Sequence, residues 1–327
     1  MPIVDGTHVI PMKSYTIVSD GYGEKGVKKT YEDEFFICEN LKTFNKNLHS
    51  NFNFSCFCLI DGHNGKNTAT FLKKNLAQEL SDSFTTIQKT YDETLPIPDH
   101  FIRISVNSAC KKIDEKLSQE FPGCRDGATC VIILIKDDYA YIINIGDSSA
   151  YLCRVFPLWS SLVCMLFLTL LKHAQTAIDL VDIHKPWVLS EKERIIKHGG
   201  TIENGRINDI IDVTRSFGDF SLKKYGLLCT GTFKKFKINS DDNFIILGTD
   251  GFFSFVDINY VTNEIIALSK KEERLVNVEK KKVVFDAKNI CKIMVEHAII
   301  DKKSQVCKKR KIVRNLCAVR MESRWTS

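Results

Sequence analysis

The chain has 327 residues, of which 44% are hydrophobic and 26% charged, so it can build a globular core and is neither disordered nor fibrous. Its 46 basic residues exceed its 40 acidic ones, but the excess lies mostly at 270–282 and 302–311 and lacks interleaved aromatic residues, so we expect no nucleic-acid binding. The twelve cysteines do not have zinc-ligand spacing and we recognise no secretion signal, so we expect reduced thiols in a cytoplasmic protein.

The first half of the chain predicts buried strands and two amphipathic helices. An apolar run at 54–60 predicts a strand in which Cys56 and Cys58 are core residues. Apolar residues then recur every three or four positions at 66–81 and 101–121, the spacing of helices with one buried face. Two further apolar runs, at 131–135 and 139–145, are separated by a short polar turn, which predicts a β-hairpin.

An uncharged apolar stretch at 155–171 interrupts this pattern and is about as long as the shortest membrane span. Pro157 and the ordinary motifs on both sides argue against a membrane span. Three interpretations stay open: an apolar hairpin packed on the body, a partner-binding patch, or a segment foreign to the mature protein. We favour packing or an artefactual insertion over a membrane segment.

The second half predicts three helices and a last strand. Ser190 followed by Glu193 fits a capping box that opens a short helix, and Gly199 and Gly200 would end it. Amphipathic spacing predicts helices at 257–268 and 285–299, and 315–321 predicts a strand. Because strands and helices come in separate groups, we expect an α+β fold in one domain, 1–327, with an atypical insertion at 155–171.

Three strand-like apolar runs, at 54–60, 139–145 and 244–247, are each followed by an aspartate beside a glycine. These pairs are Asp61-Gly62, Gly146-Asp147 and Asp250-Gly251. If the strand ends meet, their carboxylates repel one another unless a divalent cation lies between them, and oxygen-only ligands favour Mg²⁺ or Mn²⁺. One Asp-Gly pair is usually only a turn, but the repeated pattern predicts metal-assisted hydrolysis.

The order of the motifs resembles that of the PPM-type, metal-dependent serine/threonine protein phosphatases. The segments that carry the resemblance are 31–33, 58–65, 127–130, 144–150, 184–186, 193–200, 214–219, 244–251 and 315–321. They extend over nearly the whole chain apart from 155–171. The resemblance implies a sandwich of two antiparallel β-sheets flanked by α-helices, with a binuclear Mn²⁺ or Mg²⁺ site at one end.

The resemblance also implies metal ligands. Glu32, Asp61 and the backbone carbonyl of Gly62 would hold one metal ion. Asp61 would bridge to a second ion that Asp250 also holds, and Asp33 would anchor metal-bound water. Two cations lower the pKa of a bridging water, which then attacks phosphorus without a covalent phospho-enzyme.

Further roles follow by position. Asp147 and Asp250 would form a weaker third metal position. His63 would be the general acid that protonates the leaving seryl or threonyl oxygen, although a turn histidine is the alternative. Thr129 is either a hydroxyl beside the metals or an ordinary strand threonine. Arg215 and Asp219 are interpreted as structural ion-pair residues.

Two departures from the family pattern bear on activity. Arg314 stands where the family has an aspartate ligand of the second metal, so that ion would be lost or held more weakly. Lys28 stands where an arginine binds the substrate phosphate, and lysine keeps the charge without the bidentate fork. A solvated loop lysine is the alternative for Lys28. Milder departures are Asn64, Ser149, Ile183 and Ser254.

The sequence therefore supports two hypotheses. The first is a monomeric, Mn²⁺- or Mg²⁺-dependent phosphatase that acts on phosphoserine and phosphothreonine in proteins, with a kinase or signalling partner and without nucleic acid or membrane. The second is a catalytically impaired pseudophosphatase that binds a phosphoprotein or kinase. The basic cluster at 308–311 leaves a nuclear location open beside the cytoplasmic one, and a solvated loop is its simpler explanation.

Overall fold

The computed structural model describes residues 7–12, 15–24, 30–91, 95–155, 175–254, 256–279, 287–304 and 314–323. Among these residues no helix has the length and apolar character that crossing a bilayer requires. Lys28, the basic cluster at 308–311 and residues 156–171 of the apolar insertion lie outside the described residues. The interpretations of these three segments therefore stay predictions.

Two antiparallel sheets form the centre of the protein. The first sheet contains β1 (His8–Pro11), β2 (Tyr15–Glu24), β7 (Ser149–Val155), β8 (Gln175–Asp179), β13 (Asp242–Gly248) and β14 (Arg314–Ser323). Its spatial order is β1-β2-β14-β13-β7-β8. The predicted last strand is thus central in the sheet, between β2 and β13.

The second sheet lies against the first. Its main strands are β3 (Glu34–Cys38), β4 (Ser55–His63), β5 (Gly127–Lys136), β6 (Tyr139–Ile145) and β12 (Thr232–Lys237). They are ordered β12-β6-β5-β4-β3, and the two-residue strand β11 (Phe217–Gly218) pairs with β5. A separate small hairpin joins β9 (Ile202–Glu203) to β10 (Arg206–Ile207). The hairpin predicted at 131–145 is confirmed.

Long helices cover the outer faces of both sheets. α1 (Asn67–Ile87) and α2 (Asp99–Glu120) pack on the second sheet. α6 (Ile258–Glu279) and α7 (Ala287–Ser304) pack on the first. Shorter helices lie in the connections: α3 (Leu189–Lys197), α4 (Phe220–Lys223) and α5 (Asp250–Phe253). The predicted α+β sandwich of two antiparallel sheets flanked by helices is confirmed.

The continuous apolar character of the strands follows from this layering. On β4, Phe57 and Leu59 point into the core between the sheets, whereas Cys58 and Ile60 pack against α1 and α2. Because side chains alternate along a strand, a strand between a sheet and a helix layer needs apolar residues at every position. Burial raises the pKa of Cys56 and Cys58 well above the ordinary value, so both are inert core thiols as predicted.

The capping-box prediction is wrong. Helix α3 begins at Leu189 with Val188 as its N-cap residue, and that residue makes no side-chain capping bond. Ser190 lies inside the helix instead of capping it. The adjacent Glu191 turns its carboxylate inward to two arginines, so a long-range ion network rather than a local cap fixes the start of this helix. The helix ends before Gly199 and Gly200, as predicted.

Candidate active site

The ends of β3 and β4 bring the first group of acidic positions together. Glu34 pairs with Ile60, and the same antiparallel register continued by two residues places Glu32 opposite Gly62. A Cβ on residue 62 would overlap the backbone carbonyl of Glu32, so only glycine permits this approach. Strand β4 continues through Asp61, which pairs with Thr129 on β5. Asp61 is therefore held in the ladder with β5, one residue beyond the ladder with β3, rather than lying in a loop after the strand.

Two neighbouring acidic residues differ in their access to solvent. Glu32 is half-buried, and its Oε1 accepts a hydrogen bond from Thr30 Oγ1 at 3.1 Å. Asp33 is buried, with 1% of its surface exposed. A buried carboxylate is stable only beside polar or cationic groups. This requirement agrees with the predicted role of Asp33 next to metal-bound water.

The second acidic group lies where β6 leaves one sheet and β7 enters the other. Gly248, the last residue of β13, pairs with Ser149, so Asp147, two residues before Ser149, and Asp250, two residues after Gly248, lie at the same end of this sheet. Burial raises the pKa of Asp147, and the negative charge of Asp250 raises it further. Lys185 opposes both effects, because its Nζ lies 2.5 Å from Asp147 Oδ2 and 2.9 Å from Asp212 Oδ2.

Thr129 links the two acidic groups. It lies opposite Asp61, and its Oγ1 is 3.1 Å from the Oγ of Ser148, the residue that follows Asp147. This bond connects the end of β4–β5 to the turn that carries Asp147. The predicted site residues Asp61, Asp147 and Asp250 therefore lie at one end of the sandwich.

The His-Lys-Pro motif at 184–186 supports the same turn. His184 Nδ1 accepts a hydrogen bond from Gly146 N at 3.1 Å, and His184 N donates to Gly146 O at 2.9 Å. Burial lowers the pKa of His184 to about 4, so the ring is neutral and can accept that bond. The sequence analysis identified this motif without a role. It holds the Asp147 turn in place.

His63 is paired with an acid that the sequence analysis took for a structural residue. Its Nε2 lies 2.7 Å from Oδ2 of Asp219, which is 5% exposed. Burial lowers the pKa of His63, but the hydrogen bond to Asp219 and the nearby negative charges outweigh burial and leave the pKa above its ordinary value. Asp219 is 156 residues away along the chain, so no local pattern could have indicated this partner.

The ion-pair interpretation of Arg215 is supported by the structure. Arg215 Nη2 donates to Glu191 Oε1 at 2.7 Å, and its Nη1 donates to the Thr230 carbonyl at 3.0 Å. Both partners are structural, and Glu191 was not predicted to be one. Arg215 therefore ties helix α3 to the segment that precedes β12.

The donor set fits a hard divalent cation. The residues at this end offer carboxylate and carbonyl oxygens, the ligands that Mg²⁺ and Mn²⁺ prefer. Burial raises the pKa of Asp147, and the nearby charge of Asp250 adds to the rise. In the described part of the chain, however, no three Asp, Glu, His or Cys side chains are grouped closely enough to enclose an ion. The acidic residues lie near one another without surrounding a common point, and Lys185 forms an ion pair with one carboxylate oxygen of Asp147.

Arg314 reaches the same end of the first sheet. It pairs with Glu24 on β2, and Leu316 pairs with Gly248 on β13. Arg314 lies two residues before Leu316 on β14, and Asp250 lies two residues after Gly248, where helix α5 begins, so both are at the same end of the first sheet. The backbone position expected for a metal-ligand residue is therefore occupied by arginine.

Comparison with known proteins agrees with this architecture. The sequence profile described as Protein phosphatase 2C matches residues 19–156 and 168–305. The residues left between the two matches, 157–167, lie within the predicted apolar insertion, and the second match ends before Arg314.

Individual relatives point the same way. Human integrin-linked kinase-associated serine/threonine phosphatase 2C is 30% identical over 228 residues, which cover 67% of this chain and 52% of that protein. The chain thus spans about half the length of that relative. A serine-threonine phosphatase 2C from Toxoplasma gondii superposes with a TM-score of 0.71 at 16% identity, covering 98% of this chain and all of the other.

A third likeness concerns metal. The catalytic domain of the serine/threonine protein phosphatase PstP, solved in complex with two manganese ions, superposes with a TM-score of 0.51 at 12% identity. It covers 94% of this chain and 99% of the other. The family resemblance predicted from the sequence is confirmed, and the chain belongs to the Protein phosphatase 2C family.

Proposed function

We propose that the protein is a metal-dependent phosphatase that hydrolyses phosphoserine and phosphothreonine in proteins. The observation that carries this proposal is the meeting of acidic strand ends from both sheets, next to the partly exposed His63 and its buried partner Asp219. Family membership and the manganese complex of PstP support it.

Glu32, Asp61, the carbonyl of Gly62 and Asp250 would hold two Mn²⁺ or Mg²⁺ ions, and Asp147 with Asp250 a weaker third. When bound, these ions supply positive charge that acidifies water and neutralises the phosphoryl oxygens. Lys28 would contact the substrate phosphate as a point charge.

The side chains of the protein would move the protons. Asp33 would orient the attacking water by accepting a hydrogen bond. The water oxygen forms the new P–O bond, and the bond to the seryl or threonyl oxygen breaks with its electron pair on that oxygen. His63 would then give the oxygen its proton, because an alkoxide is a poor leaving group without one.

A pseudophosphatase is the second candidate, and the position of Arg314 favours it. Lost second-metal binding would leave a module that holds phosphoprotein or kinase without turnover. The kinase association named in the human relative motivates a kinase partner for either candidate. We propose a monomer in the cytoplasm, with the nucleus as a further location.

The test is hydrolysis of a phosphothreonine peptide by the purified protein with increasing Mn²⁺. We expect turnover that a chelator abolishes and that Asp61→Asn lowers by about 10²-fold or more, as for the loss of a group that stabilises transition-state charge. Asp182→Asn is the matched control, because Asp182 is an exposed acid whose carboxylate forms an ion pair with Lys234. Absence of turnover at millimolar Mn²⁺ would favour the pseudophosphatase.

Lys185 gives a separate prediction about metal stoichiometry. Its ammonium lies 2.5 Å from Asp147 Oδ2 and competes with any cation there. We expect Lys185→Met to tighten Mn²⁺ binding at the Asp147–Asp250 position by at least about tenfold, the ratio that corresponds to 1.4 kcal/mol of removed repulsion. Calorimetric titration measures it, and Lys185→Arg, which keeps the charge, should bind Mn²⁺ as the wild type does. An unchanged Lys185→Met isotherm would contradict the competition.

A further inference from the structure

The carboxylate of Asp219 is fixed by contacts other than the one with His63. Ser216 Oγ donates a hydrogen bond to Asp219 Oδ2 at 2.6 Å, and the same oxygen lies 2.7 Å from His63 Nε2. The backbone N–H of Asp219 donates to the carbonyl of Asp126 at 3.2 Å. Its φ of +47° is in the left-handed region, which most residues other than glycine avoid.

The strand next to this pair is shaped around it. Gly127, the first residue of β5, pairs with both His63 on β4 and Gly218 on β11. A Cβ on residue 127 would overlap Asp219 Oδ2 and would come 2.5 Å from His63 Nε2. The glycine therefore leaves room for the contact between the acid and the imidazole.

A second acid anchors the segment from the other side. Asp114 on α2 accepts a hydrogen bond from Gly218 N at 2.8 Å and forms an ion pair with Lys223 Nζ at 3.0 Å. It is buried like Asp219, but these contacts are with Gly218 and Lys223 rather than with His63. Asp114 stabilises the loop, whereas Asp219 contacts the histidine.

We propose that Asp219 is the positioning residue for His63. By accepting the Nε2–H bond it fixes the ring, so that Nδ1 is the nitrogen that serves the leaving oxygen. A carboxylate bonded to one imidazole nitrogen sets both the orientation and the tautomer of the ring. This inference rests on the proposed phosphatase function, because it specifies how His63 delivers the proton.

The protons balance over one turnover. The water oxygen forms the new P–O bond as the P–O bond to the seryl or threonyl group breaks, and the electron pair of the broken bond stays on the leaving oxygen. That oxygen takes the proton from Nδ1, and the ring, now neutral, keeps its Nε2–H bond to Asp219. One proton of the attacking water stays on the phosphate product and the other passes to solvent, from which Nδ1 is reprotonated.

The test compares two substrates with different leaving groups. The alkyl oxygen of a phosphothreonine peptide needs a proton, whereas p-nitrophenolate leaves readily without one. We expect Asp219→Asn to lower kcat/KM for the peptide by about 100-fold, the lower end of the contribution of a positioned acid, and to leave p-nitrophenyl phosphate hydrolysis nearly unchanged. His63→Gln should show the same selectivity. Equal losses on both substrates, or no loss on the peptide, would overturn the inference.

Two controls separate positioning from folding. Asp114→Asn removes a buried acid on α2 that anchors the same segment and should affect both substrates equally. Ser216→Ala removes only the hydroxyl bonded to Asp219 Oδ2 and should give a smaller loss confined to the peptide.

A readout without turnover keeps the inference distinct from the proposed function. Nitrogen-resolved NMR of the His63 ring should detect a slowly exchanging Nε2 proton in the wild type that is lost in Asp219→Asn. If the wild type hydrolyses neither substrate, the phosphatase proposal fails, and this proton still decides whether Asp219 fixes the ring. Its absence from the wild type would overturn the role of Asp219.

Discussion

Replacing Arg314 by aspartate should raise both Mn²⁺ affinity and turnover. Strand β14 places residue 314 at the end of the first sheet where Asp250 follows β13. At an effective dielectric constant near 20, a guanidinium about 4 Å from a divalent ion is repelled by roughly 8 kcal/mol. A micromolar metal site is worth only about 8 kcal/mol. One side chain can thus cancel the second metal site, and an acid there would restore a ligand.

We expect Mn²⁺ to bind Arg314→Asp at least about tenfold more tightly than the wild type, a change of 1.4 kcal/mol. Calorimetric titration and peptide turnover at fixed Mn²⁺ measure the two effects. Arg314→Gln removes the charge without adding a ligand, so its affinity should fall between the other two. A titration of Arg314→Asp that superimposes on that of the wild type would refute the electrostatic argument.

The fold could be predicted because its information is local. Strands such as β4 and β5 are apolar at nearly every residue, and the helices at 67–87 and 99–120 follow from one-sided apolar spacing. Helix ends were less accurate, since α1 continues well past residue 81 where the apolar stripe was thought to stop.

The site was predictable only in part, for a physical reason. Asp61, Asp147 and Asp250 each follow an apolar run, so the sequence pattern identifies them. No such pattern identifies Asp219 as the partner of His63, because Asp219 comes from a distant part of the chain. Lys185 belongs to a motif that the sequence analysis identified. Its contact with Asp147, however, depends on how the turn between β6 and β7 connects the two sheets. Contacts across the fold, rather than patterns along it, decide such roles.

The capping-box prediction also failed because of contacts across the fold, which involve Glu191 and lead to the second prediction. Glu191 Oε1 and Oε2 each accept a hydrogen bond from Arg194 at 2.7 Å, and Arg215 Nη2 donates to Oε1 at 2.7 Å. Thr214 Oγ1 adds a bond to Oε2 at 2.5 Å. The carboxylate is 3% exposed, so it is a buried anion shared by two cations.

Glu191→Gln should destabilise the protein by about 3–5 kcal/mol, the cost of leaving buried charge uncompensated when one partner is removed. Arg194 and Arg215 would keep their bonds to the carbonyls of Gly226 and Thr230 but would lose the anion between them. The midpoint of urea unfolding measures the loss. Glu193→Gln is the matched control. This substitution removes the same charge from an exposed residue of α3, so it should shift the midpoint of unfolding little.

The pH dependence of unfolding tests the same network independently. Burial alone would raise the pKa of Glu191, but the bonds from Arg194, Arg215 and Thr214 outweigh it and hold the pKa well below its ordinary value of 4.5. A carboxylate with a depressed folded-state pKa stabilises the protein above its unfolded pKa and loses that contribution as pH falls below it. The stability difference between wild type and Glu191→Gln should therefore be constant near neutral pH and shrink below about pH 4.5. A difference that persists undiminished at pH 3 would mean that lost packing, not the lost charge, destabilises the variant.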